Sequence, residues 1–243
     1  MLNSTYFQLC SFVYIIMLMI VYFSKQRFSS KENKVYVIMI ISNLIGLILD
    51  VLSIYTIINI NKIPIVNLLV TKLYLVYLLA WVTLFTVYTL FTCNKDDNND
   101  KSKKIIFIFI SLFIVFSLVL FALPLNYYNK DGTVYSYGPS ASFSYVVGGI
   151  YIFICLISVI KNFKKIKKIK CLPLIAYLIM FPLILSIQAI EPKILLVTAT
   201  ESFITFLMYF TIENPDMKLI NELNIAKDQA EKANNAKSDF LSS

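Results

Sequence analysis

Three ionisable residues, Asp50, Lys72 and Glu201, stand inside long apolar stretches of this chain. Charged groups at bilayer depth are costly, and they usually pair, face a bundle interior or line a polar pathway. Two acids and one amine offer electrostatic chemistry: holding a cation, exchanging hydrogen bonds, or answering a change of protonation. Each lies about seven or eight residues from one end of its apolar run, which at ~1.5 Å per residue puts all three ~12 Å deep. Asp50 and Lys72 flank the turn at 59–64 almost symmetrically, so their spacing predicts an ion pair between adjacent antiparallel helices. Asp50 also shares a helix face with Asn43, Gly46 and Ser53, at spacings of 3, 4 and 3. Small and polar residues on one face mark a helix–helix contact. Thr198, Thr205 and Met208 share a face with Glu201, and Gln188 lies near the end of the preceding apolar run, beyond Pro182. Two readings are open. In one, Asp50 and Lys72 fix helix register and Glu201 is protonated or bonded to hydroxyls. In the other, these residues line an outward-opening pocket that takes a cationic or hydrogen-bonding ligand or responds to pH.

Other chemistries find little support. The chain has no histidine, so it offers neither His-based catalysis nor His metal ligation. Its four cysteines, Cys10, Cys93, Cys155 and Cys171, are scattered and lack the spacing of a zinc site or a disulfide framework. Asp96, Asp97 and Asp100 with Asn98 and Asn99 lack the glycine and closing Glu of a calcium loop and read as a solvated turn. No catalytic residue, metal ligand or cofactor is assigned within these residues. Trp81, beside Thr83 and Thr86, reads as core packing in preference to ligand stacking.

These residues must be positioned by membrane spans. Of 243 residues, 58% are hydrophobic, and the charges cluster outside long apolar runs. Seven segments near twenty residues emerge, at about 4–23, 35–58, 65–92, 105–123, 143–160, 172–190 and 194–212. The stretch 172–212 is too long for one crossing, and Glu191-Pro192 divides it. Three alternate loops hold fourteen basic residues, whereas the opposite connections hold only Lys62, Lys130 and Lys193. That bias predicts an N-terminus outside and a C-terminus in the cytoplasm. It also explains the net charge of +8 without nucleic acid. The lysine-rich loop 161–170, interleaved with Phe163, Ile166 and Ile169, reads as topogenic charge, with anionic headgroup binding as the alternative. In the external piece 124–142, Asp131-Gly132 between aromatic and β-branched residues signals a hairpin flap. An irregular loop with tyrosines at the headgroups is the competing reading.

Beyond the last apolar run, Asn214-Pro215-Asp216 supplies helix-start chemistry. Leu219, Leu223, Ala226, Ala230, Ala233, Lys237 and Phe240 then follow an alternating 4 and 3 spacing, the seam of a two-stranded coiled coil. An alanine-rich linker helix fits the same periodicity. The expected fold is therefore an all-α membrane protein. It has a seven-helix bundle over 1–212 and a cytoplasmic signalling helix over 213–243.

The run from Ala226 to Ser243, with its pattern A-x-x-A-x-x-A-K-x-x-F-L over Ala230, Ala233, Ala236, Lys237, Phe240 and Leu241, resembles the entry to the dimerisation helix of sensor histidine kinases. The match covers about a tenth of the chain. Tyr135-Ser136-Tyr137-Gly138-Pro139 and Glu213-Asn214-Pro215-Asp216 resemble, less specifically, the seven-span input modules that precede kinase or cyclic-dinucleotide output domains. The resemblance implies a transmembrane signal-input region in the bacterial plasma membrane. It implies a homodimer, a Met-Ser-His-Glu phosphoacceptor following Ser243, and a kinase core using ATP and Mg to phosphorylate a response regulator. The stimulus is not named by it. The alternatives are the same input module on a diguanylate cyclase-type output, or a small transporter or channel.

Overall fold

A backbone in an apolar medium must satisfy its own hydrogen bonds, so long runs of Ile, Leu, Phe and Val fold there as helices. The computed structural model of this chain describes residues 5–25, 30–93, 99–130, 133–162, 171–191 and 194–242, and it is mostly helical. Among the described residues, five helices are long and apolar enough to cross a bilayer. They are α1 (Tyr6–Ser24), α2 (Lys31–Ile58), α3 (Pro64–Cys93), α4 (Asn99–Ala122) and α5 (Pro139–Asn162). A further apolar helix, α6 (Leu172–Ile190), carries Pro182 in its interior. The shorter α7 (Val197–Met208) runs into a π-helical turn, Tyr209–Glu213. Asn214 is extended there, as a residue before proline prefers, and α8 (Pro215–Ser242) starts at the next residue. The helices follow the expected apolar runs to within four residues at each end, except that α4 starts six residues earlier, at Asn99.

Local chemistry fixes several of these starts. The Ser30 hydroxyl accepts from the Asn33 amide and caps α2. Pro64, Pro139 and Pro215 each open a helix, where a missing N–H costs nothing.

The core is organised on α3. In its most apolar 18-residue window 56% of residues are buried, against 11% for α4, so α3 is central and α4 peripheral. Gly46 of α2 makes the closest seam possible, because a Cβ there would fall 2.0 Å from Cζ of Tyr77 on α3. Trp81 is fully buried, stacked on Phe85 with ring centroids 5.3 Å apart and tilted against Tyr177 at 5.2 Å. It serves as core packing, as its position suggested.

Between α4 and α5 the hairpin forms. Strands β1 (Asn126–Lys130) and β2 (Thr133–Tyr137) pair antiparallel, with Tyr128 opposite Tyr135 and their rings stacked at 5.1 Å. Asp131 and Gly132, which signalled it, lie outside the described residues. Val134 is buried on Ile54 and Ile57 of α2, so the hairpin lies over one end of the bundle. Gly138 has φ +108°, a backbone conformation open to glycine, and lets β2 turn directly into α5.

The α8 helix has no cover from its own chain along its described face. Leu223 is 69% exposed, and Ala226, Ala230 and Ala233 are exposed as well. The side chains of Leu219 and Phe240 lie outside the described ones, although the helix passes through both positions.

Candidate functional site

Beneath the hairpin, α2, α3, α5 and the segment leading into α7 enclose a cavity of about 300 Å³. Asp50 and Ser53 line it from α2, Tyr74 from α3, Tyr135 from β2, Tyr145 from α5 and Gln188 from α6. The face of α2 read from its 3, 4, 3 spacing is buried throughout: Asn43, Gly46, Asp50 and Ser53 all point inward. One end of that face meets the cavity, and the other meets α7.

Asp50 is 2% exposed, and its Oδ2 accepts from Nε2 of Gln8 at 3.1 Å. Gln8 also donates to the Leu195 carbonyl at 3.1 Å, so it ties α1, α2 and the entry to α7 together. The Tyr74 hydroxyl shares a hydrogen bond of 2.9 Å with Thr198 at the start of α7. Among the described residues lining the cavity Asp50 is the one ionisable acid and no lysine or arginine accompanies it.

The expected Asp50–Lys72 ion pair does not form. Lys72 is 3% exposed and turns the other way, toward the C-terminal end of α4. Its Nζ donates to the Leu120 carbonyl at 2.6 Å, to the Leu123 carbonyl and to Ser140 Oγ at 3.0 Å. All three ammonium donors are thereby used. The final carbonyls of an α-helix lack partners within it and carry the negative end of the helix dipole, so a cation is well placed there. The geometric reason for the failed pair is angular. Depth fixes height along α3 but not direction around it. The α3 residues that meet the cavity are Tyr74 and Leu75, ~200° and ~300° around the helix from Lys72.

Glu201 is also buried, at 3% exposed, but it does not line this cavity. Its carboxyl lies toward the Tyr77 hydroxyl, and Glu201 Oε2 and the Tyr77 oxygen each lack a direct hydrogen-bond partner. Asn43 belongs to a polar knot around α7. Its Nδ2 donates to Thr205 Oγ1 at 3.1 Å, and its Oδ1 accepts from Ser202 at 2.6 Å. Trp81 Nε1 donates to the same Thr205 hydroxyl at 3.1 Å, and the Tyr36 hydroxyl donates to the Thr205 carbonyl at 2.7 Å. On the other side of α7 the Tyr14 hydroxyl donates to the Ala199 carbonyl at 2.9 Å. Helices α1, α2 and α3 thus all hold α7 through hydrogen bonds.

Of the candidates read from sequence, Asp50 and Gln188 come together at the cavity, Asn43 packs against α7, Glu201 stands on α7 itself with its carboxyl toward Tyr77, and Lys72 stands apart. Gln8, Tyr74 and Tyr145 were not anticipated. The signal for Gln8 was present: Gln8, Ser11, Ile15, Leu18 and Tyr22 recur at 3 and 4 and form the buried face of α1. Among the described residues no cluster of metal-ligating side chains occurs. Comparison with protein-family models, with curated proteins and with solved structures finds no match to this chain.

Proposed function

We propose that this chain is the seven-span signal-input region of a bacterial sensor histidine kinase, oriented with its N-terminus outside and its C-terminus in the cytoplasm. The carrying observation is a single path along the chain, interrupted only at the extended Asn214. Helix α7 borders the cavity at one end, is held by α1, α2 and α3 along its length, and leads through a π-helical turn into the exposed α8. π-Helical turns are rare and occur often at functional sites.

Seven crossings are supported by α6, at 19 residues, and by the 12 residues of α7 extended by the 5 of the π-helical turn. In this reading the hairpin faces outward and the cavity beneath it receives the stimulus. With Lys72 engaged on α4, the cavity offers one carboxyl among Tyr74, Tyr135 and Tyr145. An acid beside aromatic faces suits a small organic cation. Binding there would act on α7 through Thr198 and Leu195, and α8 would carry the change to the output domain. A ligand achieves this only by favouring one of two packings.

In a parallel α8 dimer the register Leu219, Leu223, Ala226, Ala230, Ala233 and Phe240 would form the seam. Single substitutions Leu223→Cys and Ala230→Cys, in a background without native cysteines, test this in membranes. Disulfide yields should exceed those of Asp228→Cys, off the seam, and should change when stimulus is added to responding cells. Equal yields at seam and off-seam positions refute the dimer. Equal yields with and without stimulus refute transmission through α8.

A further inference from the structure

A second concavity lies at the opposite end of the bundle from the hairpin. It is a groove of about 620 Å³ over α3, walled by α2 and α4. Its lining spans 31–42 on α2, 80–91 on α3 and 102–113 on α4. Each stretch rises ~16 Å at ~1.5 Å per residue, about half of a ~30 Å hydrocarbon core. The groove is therefore one leaflet deep. Its walls are apolar, with Ile38, Val87, Phe91, Ile106 and Phe109 among them, and Ile38 and Ile106 are 52% and 39% exposed.

The charged groups are gathered at one end, and Ser42 and Thr83 are the polar residues deeper in the groove. Lys31 and Lys34 from the first turns of α2 and Lys103 from the start of α4 line the mouth, and among the described residues no acid lines it. Lys31 Nζ donates to Ser102 Oγ at 3.1 Å, which fixes one ammonium across the gap between α2 and α4. An ammonium carries three donors, so it can hold Ser102 and an anionic oxygen together. We propose that this groove seats one acyl chain of an anionic phospholipid, with its phosphate among Lys31, Lys34 and Lys103. Basic residues beside apolar helix surfaces are a recognised arrangement for anionic headgroups. The one-leaflet depth selects a lipid in preference to a soluble anion. The inference rests on bilayer insertion and is independent of the kinase reading.

The test is native mass spectrometry of the full chain in detergent. The added probes are phosphatidylglycerol, phosphatidylcholine with the same chains, and inorganic phosphate. Each lysine near an anionic surface contributes somewhat under a decade of affinity. Three should give phosphatidylglycerol on the order of a hundredfold preference over phosphatidylcholine. The triple variant Lys31→Gln, Lys34→Gln, Lys103→Gln should lose that preference. A control triple at the exposed Lys62, Lys130 and Lys227 should keep it. Ala80→Phe, which fills the groove floor, should weaken retention with the lysines intact. Equal retention of both lipids by the unmodified chain overturns the proposal without any variant. So does full competition by inorganic phosphate, or unchanged retention in the lysine triple or in Ala80→Phe.

Discussion

Gly46→Ala should be one of the most damaging single-methyl additions in this protein. The added Cβ would lie 2.0 Å from Tyr77 Cζ and 2.2 Å from both Cε atoms, in effect inside the ring. Ordinary carbon–carbon contact is ~3.5–4.0 Å, so α2 and the Tyr77 ring must separate by ~1.5 Å or more. Tyr77 is 4% exposed and cannot swing into solvent or lipid. Overpacking typically costs ~1–3 kcal/mol, and the closeness of this overlap places Gly46→Ala near ~3 kcal/mol. Tyr77→Leu removes the overlapping ring atoms, so Gly46→Ala in that background should cost below ~1 kcal/mol, a coupling of at least ~2 kcal/mol. The assay is reversible unfolding in mixed micelles followed by fluorescence of Trp81, the single tryptophan, which is fully buried against Phe85. If Gly46→Ala unfolds within ~0.5 kcal/mol of the unmodified protein, or costs the same in both backgrounds, the close α2–α3 seam is refuted.

Lys72→Met should destabilise by ~3 kcal/mol, because it removes charged hydrogen bonds from the Leu120 and Leu123 carbonyls and from Ser140. A double-mutant cycle with Asp50→Asn in the same unfolding assay should show coupling within ~0.5 kcal/mol of zero, and a coupling well above ~1 kcal/mol would restore the ion pair. Tetramethylammonium chloride should raise the melting temperature of the full chain relative to sodium chloride. That difference should vanish in Asp50→Asn and persist in Lys72→Met, and a difference surviving Asp50→Asn would remove the cation reading of the cavity.

Much of this architecture was legible because apolar runs and proline positions are direct statements about helices. The boundaries of α2, α3 and α5 and the start of α8 at Pro215 followed from them. The hairpin was legible from Asp131-Gly132 and its flanks even though the tip itself is outside the described residues. The buried face of α2 was legible because small and polar residues at 3 and 4 spacing have few uses on a lipid face. What sequence could not give was direction around a helix for a residue without such company. Asp50, Lys72 and Glu201 were placed at one depth, yet they face three different neighbourhoods. Two of the three partners of Lys72 are main-chain carbonyls, which every residue carries and no residue type advertises. The tyrosines of the cavity were hidden by their number, since the chain has 16.

The same Lys72 node has a consequence for the strand pair that it never touches. Ser140, one of its partners, donates its hydroxyl to the Leu120 carbonyl and its amide to the Pro124 carbonyl. The departing and returning chains of the β1–β2 excursion are thus stapled at a common root, which shortens the loop that must be ordered. An isolated strand pair is marginal at best in water. This one is held at its base by Ser140 and Lys72 and along its length by Val134 on α2, so its two strands are anchored to the bundle at both places.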